Sequence, residues 1–219
     1  GRMIPFREVA RDLAYQREDL DRFLDSNRPN WARFDPVLGY VGNNSIQKDG
    51  MDGAWSLYRY GKTHGERMMI NYADRPCRIN TYGDSFTQCH QVSDGETWQE
   101  YLAAHIGEPV RNFGMGGHSV YQAYRRMLQK EDTDIEAPYV ILNIFGLDDH
   151  YRNLDSWRYM RIYTWFRGAR RHNNFHANPS AHLAFDLQTG RVVEEPNICP
   201  TPESLYKLCD PDYIYETFK

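Results

Sequence analysis

From residue 77 onward the chain alternates short apolar runs with helix-patterned segments, and this rhythm limits the possible folds more than any other feature. A β-prone run at 77–82 stops abruptly at Gly83-Asp84-Ser85. A helical pattern covers about 96–106, with Ser93 or Asp94 as its cap and Gly107 as its stop. A second strand is expected at about 109–113 and a second helix at about 119–131. Tyr139 to Phe145 is a third run, apolar except for Asn143. Continuous apolar runs of this length suit parallel strands buried on both faces. Strand–helix alternation then implies an α/β layer fold with right-handed crossovers.

The flanking regions have a different character. Residues 1–76 read as an accessory segment. They comprise a helix at 6–27, with Val9, Leu13, Leu20, Phe23 and Leu24 near helical spacing, and a turn-rich stretch with short strands at 55–60 and 68–72. Residues 77–150 form the expected core. Residues 151–219 read as a lid-like insertion and an incomplete C-terminal part. Within them a helix is expected over 151–171, and Arg167, Arg170 and Arg171 form a solvated basic face. A β-hairpin spans 183–195 and turns at Gln188-Thr189-Gly190. Short helices open near Thr201-Pro202 and Asp210-Pro211.

Composition narrows the function classes. Hydrophobic residues make up 41% and charged residues 26%, as in a globular chain, and the formal charge of −4 argues against general nucleic-acid binding. No apolar run reaches membrane-spanning length. Cys77, Cys89, Cys199 and Cys209 form no C-x-x-C pair, so neither a zinc site nor a disulfide framework is required. Cys77 is expected to be a small core residue of the first strand.

The chemistry concentrates where the three strands end, because ligands of an open parallel sheet bind beyond the carboxyl ends of its strands. The first end is Gly83-Asp84-Ser85. A serine on such a turn can act as a nucleophile once a base removes its proton. The second is Asn112-Phe113-Gly114-Met115-Gly116-Gly117-His118-Ser119, whose exposed N–H groups can hold an oxyanion. The third is Gly146-Leu147-Asp148-Asp149-His150. Asp84, Asn112, His118, Asp149 and His150 are the candidate substrate contacts at this edge. The bland readings are a cap serine, a tight glycine turn and solvated loop histidines, and His172, His176 and His182 are also expected on surface loops. Asp148 and Asp149 are adjacent and point apart, which disfavours a metal.

In order and spacing, these three strand ends resemble the blocks of the SGNH (GDSL) hydrolase superfamily, and Asp35-Pro36-Val37-Leu38-Gly39-Tyr40 resembles a leader found in some members. The resemblance covers about residues 35–150. It implies a flavodoxin-like three-layer α/β/α fold with a central parallel sheet, and an esterase that needs no cofactor. Ser85 would be the nucleophile, and the N–H groups of Ser85 and Gly117 the oxyanion donors. The third-block Asn of the family, its third oxyanion donor, is Asp148 here; an ionised carboxylate accepts hydrogen bonds without donating any, so Asp148 is expected to be protonated, turned away or performing another task. The family's terminal Asp-x-x-His is absent after residue 150. The nearest string, Asn173-Asn174-Phe175-His176, has Asn for Asp. The base is therefore expected to lie beyond residue 219, in a chain that stops before its sheet is complete. The implied substrate is a carboxylic ester, such as an O-acetylated carbohydrate. The alternatives are a non-catalytic glycan- or protein-binding domain and an O-acyltransferase.

Overall fold

A computed structural model describes residues 5–28, 30–146, 152–154 and 174–218. The chain divides into two compact units that do not follow chain order. One gathers Gly1–Arg28, Phe34–Tyr40 and Tyr151–Lys219, and the other gathers Pro29–Arg33 and Val41–His150. The expected boundary at 76/77 therefore falls inside the second unit. The expected helix over 151–171, with its arginines, lies almost wholly outside the described residues. No described helix is long and apolar enough to cross a membrane.

In the first unit the expected helix at 6–27 is two helices, α1 (Phe6–Leu13) and α2 (Arg17–Leu24). The break is at Ala14, whose ψ of 132° is extended. This lets Tyr15 turn inward, where its N–H donates to the Leu208 carbonyl at 3.0 Å. Ala10, Tyr15, Leu20, Leu205, Leu208 and Ile214 form the buried core with Cys199. Ile214 comes from a C-terminal helix, Pro211–Phe218, and the two leucines from a 3-10 segment, Glu203–Cys209. All four cysteines of the chain are free thiols. The hairpin forms as its turn residues imply, pairing His182–Asp186 with Arg191–Glu195, and Gly190 supplies the left-handed residue at φ +67°.

The second unit carries the site. Four short strands come earlier in the chain, β1 (Ala32–Asp35), β2 (Gly39–Gly42), β3 (Ser45–Gln47) and β4 (Ser56–Tyr58). The sheet of this unit that bears the site is parallel, in the order β6-β5-β7, where β5 is Ile79–Tyr82, β6 is Val110–Asn112 and β7 is Tyr139–Leu142. Ile79 pairs with both Val110 and Tyr139, so β5 is central. Helix α4 (Trp98–Ile106) follows a 3-10 turn that Ser93 caps through a capping box. Its own cap is Thr97, and Gly107, at φ +74°, ends it. Helix α5 (Val120–Glu131) starts at a second capping box, Ser119 with Gln122. One sheet face carries buried polar groups against α5: Asn80 and Tyr82 both donate to Glu131 Oε1. Tyr82 also stacks on Phe113 at 5.2 Å.

Three expectations need correction. The strand at 139–145 is shorter and is not buried on both faces, since Tyr139, Val140 and Ile141 are 57%, 41% and 39% exposed. β7 is an edge strand that pairs only with β5 among the described residues. The expected strand at 68–72 is a turn at Tyr72 (φ +57°), and only Arg67 joins the sheet there, through a bridge to Asn112. Cys77 lies before β5, half-buried, and its thiol donates to the Ile79 and Pro109 carbonyls.

Candidate active site

Ser85 opens a one-turn helix, α3 (Ser85–Gln88), directly beyond the central strand. Asp84 is the N-cap and its carboxylate accepts the Phe86 N–H at 2.9 Å. Asp84 is 5% exposed, so its observed work is capping the turn. Gly83 is required by close approach: a Cβ there would come within 3.1 Å of the Asn143 Cβ and overlap the Thr87 hydroxyl. Ser85 itself is partly exposed. Neither its hydroxyl nor its N–H has a hydrogen-bond partner among the described residues.

The glycine-rich loop packs directly on this turn. The Met115 N–H donates to the Gly83 carbonyl at 3.0 Å, and Asn112 Oδ1 accepts the Gly114 N–H at 2.9 Å. A Cβ at Gly114 would overlap the Gln88 nitrogen, and one at Gly116 would lie 2.5 Å from His90 Nε2. The Gly116 N–H donates to Gln88 Oε1 at 2.5 Å. The next amide, that of Gly117 (φ +79°), has no partner among the described residues. The turn of Ser85 and the loop of Gly117 are thus one packed body, and both carry uncommitted amides.

No sequence motif marks what lies behind the turn. Arg67 is 2% exposed and spreads its guanidinium under the chain after Ser85. It donates to the carbonyls of Gln88 (2.5 Å), Cys89 (2.7 Å) and Val92 (2.5 Å) and pairs with buried Asp94 at 3.0 Å. Asp94 also accepts from Arg59. This cation holds a segment with two left-handed non-glycine residues, Cys89 (φ 59°) and Gln91 (φ 72°), on either side of His90. Non-glycine residues in that region are strained and persist where surrounding contacts over-determine them.

A cavity of about 430 Å³ opens beside the turn, lined by Asp49, Ser85, Phe86, Cys89, His90 and Gln91. It therefore brings a serine, a histidine and an aspartate together. The backbone N–H of His90 donates to the Ser85 backbone carbonyl at 3.2 Å, and the imidazole meets Trp31 edge-on at 5.1 Å. Among the described residues its Nε2 is buried without a hydrogen-bond partner, and so is Asp49 Oδ1. Burial pushes the His90 pKa down to about 4; Arg67 adds to the shift and Asp49 opposes it. The imidazole is therefore neutral at pH 7. The other Asp49 oxygen accepts from the Tyr58 hydroxyl at 2.5 Å. Burial also raises the Cys89 thiol pKa, which keeps it protonated and disfavours it as a nucleophile. Phe86, on the cavity wall, stacks on Phe145 at 3.9 Å, and both rings are about half exposed.

The expected contacts fare differently. Asn112 is buried and shapes the glycine loop. His118 is not a rim residue or a solvated loop histidine: it is fully buried, within a turn whose N–H donates to the Met115 carbonyl. Asp148, Asp149 and His150 lie outside the described residues. His176 is half-buried, with Nδ1 3.0 Å from the Tyr40 hydroxyl, and His182 Nδ1 lies 3.0 Å from the Ser180 carbonyl. No signal in the sequence marked His90 or Asp49, because Asp49 reaches the cavity from a turn 36 residues before Ser85 in the chain. Compared with models of protein families, with curated proteins and with solved structures, the chain matches none.

Proposed function

We propose that this chain is a serine hydrolase of the SGNH type, with the flavodoxin-like α/β/α fold of that superfamily, and that it cleaves carboxylic esters, including carbohydrate O-acetyl groups. One observation carries the reading. A serine hydroxyl sits at the end of the central parallel strand, on a turn packed against a glycine loop; among the described residues it is unpartnered, and the turn and the loop each carry an uncommitted N–H. Ser85 attacks the ester carbonyl, the N–H groups of Ser85 and Gly117 receive the negative oxygen, the alcohol leaves, and water releases the acid from the acyl-enzyme. His90 is the histidine that shares the Ser85 cavity. In its neutral form it can accept the serine proton; Asp49 favours the imidazolium that results, while burial and Arg67 oppose it. Asp148 is given no donor role, because an ionised carboxylate cannot donate to the oxyanion.

The competing reading is a non-catalytic domain that binds a glycan or a protein. It is favoured by the lack, among the described residues, of a hydrogen bond from the Ser85 hydroxyl to any base. A fluorophosphonate probe separates the two. Labelling of the wild-type chain that disappears in Ser85→Ala supports the hydrolase. An unlabelled wild-type chain that is folded by circular dichroism supports the binding domain. Acyl transfer would appear as product that forms only with an added acceptor alcohol, without free acid.

A further inference from the structure

The glycine loop presents two successive amides, Gly116 and Gly117, to the turn of the nucleophile. Gly116 is already committed: its N–H points at Gln88 Oε1, 2.5 Å away. Gln88 is fully buried, three residues after Ser85 on the same helical turn. The orientation of its amide follows from the chemistry of its neighbours. A backbone N–H can only donate, so the atom facing Gly116 is the oxygen. The nitrogen then faces Tyr60, whose hydroxyl accepts at 2.5 Å. Arg67 fixes the backbone of the same residue through the Gln88 carbonyl. With Gly116 tied down, the following amide, at φ +79°, is the one left open.

We propose that Gln88 is a positioning residue for the oxyanion: by occupying the Gly116 N–H it fixes the loop so that the Gly117 N–H is the one offered to the reacting carbonyl. The inference rests on the serine-hydrolase reading. It assigns to the turn of the nucleophile a second task, setting its own oxyanion donor.

The test compares three chains, wild type, Gln88→Met and Tyr60→Phe, by the rate constant for fluorophosphonate labelling of Ser85 and by thermal midpoint. Gln88→Met keeps length and shape but removes the acceptor. Tyr60→Phe removes the other partner of Gln88 and leaves the Gly116 contact. Losing one oxyanion donor slows turnover about 100-fold or more, so a misaimed one is expected to slow labelling at least ~10-fold. Tyr60→Phe should label within about twofold of wild type even where its midpoint falls as far. Gln88→Glu, which retains an acceptor oxygen, should recover part of the rate. Wild-type labelling in Gln88→Met, or losses in both variants that track only their midpoints, overturns the assignment. A wild-type chain that does not label removes the hydrolase reading instead. The positioning claim is then read by hydrogen exchange, where Gln88→Met should accelerate exchange at residues 114–118 selectively, and unchanged exchange there overturns it.

Discussion

Protonation of His90 should destabilise the second unit by a predictable amount. In an unfolded chain a histidine titrates near 6.5, whereas His90 in the fold titrates at about 4. Above pH 6.5 both states are neutral and the group contributes no pH dependence. Between 6.5 and 4 the unfolded chain binds a proton that the native chain refuses, so stability falls as the pH falls. Below 4 both states are protonated and the loss is complete. The gap of roughly 2.5 units corresponds to about 3 kcal/mol. Burial sets the gap; of the charged groups, Asp49 narrows it and Arg67 widens it. Urea unfolding of wild type and His90→Gln at pH 7.0, 5.5 and 4.5 isolates the contribution, because all other titrations are common to both chains. The stability difference between the chains should move by about 2–3 kcal/mol toward the variant between pH 7.0 and 4.5. Parallel pH curves would show that the imidazole is solvated in the native state, and its burial beside Ser85 would be wrong.

Further outcomes follow from the same contacts. Arg67→Met leaves the buried carboxylate of Asp94 with only the half-exposed Arg59 as a cation partner and releases four carbonyls, so it should cost about 3–5 kcal/mol by chemical unfolding and abolish Ser85 labelling. Gly114→Ala places a methyl group on the backbone of Gln88 and should lower the thermal midpoint by several degrees; a neutral result would show that the loop is not packed on the turn. Phe86→Ala removes an exposed ring stacked on Phe145, so stability should change by no more than about 1 kcal/mol, while KM for an ester substrate rises; an unchanged KM would remove Phe86 from the cavity's working wall.

The parts of the fold that were legible in the sequence are those written locally. Gly107 ends α4 because a left-handed residue is needed there, and Asp186 with Gly190 turns the hairpin. The strands of the sheet announce themselves as short apolar runs between turn residues. Burial on the far side of a strand is not local. Tyr139-Val140-Ile141-Leu142 has the pattern of an interior strand, yet only its neighbours decide whether it is one, and among the described residues it pairs on one side alone. Likewise Ala14 and Tyr15 suit a continuous helix by propensity, and the chain breaks there because Tyr15 buries itself against Leu208 and hydrogen-bonds Asn178, a gain that propensity cannot weigh against.

The site was half legible for the same reason. Gly83-Asp84-Ser85 and the glycines of 114–117 carry their geometry in their residue types. The groups that hold them do not, because a buried arginine reads in sequence as one more surface charge. Arg67 comes from the stretch first read as an accessory layer, yet its five donors converge on carbonyls and a carboxylate from residues 57–94. Asp49, Tyr58 and Tyr60 come from that stretch too, and each touches His90, Gln91 or Gln88 through a bond or a ring. Residues 41–76 are therefore the back wall of the Ser85 turn. A one-turn helix with strained residues at its exit has too few contacts of its own to persist, so the catalytic geometry proposed for Ser85 depends on that wall as much as on the sheet that delivers it.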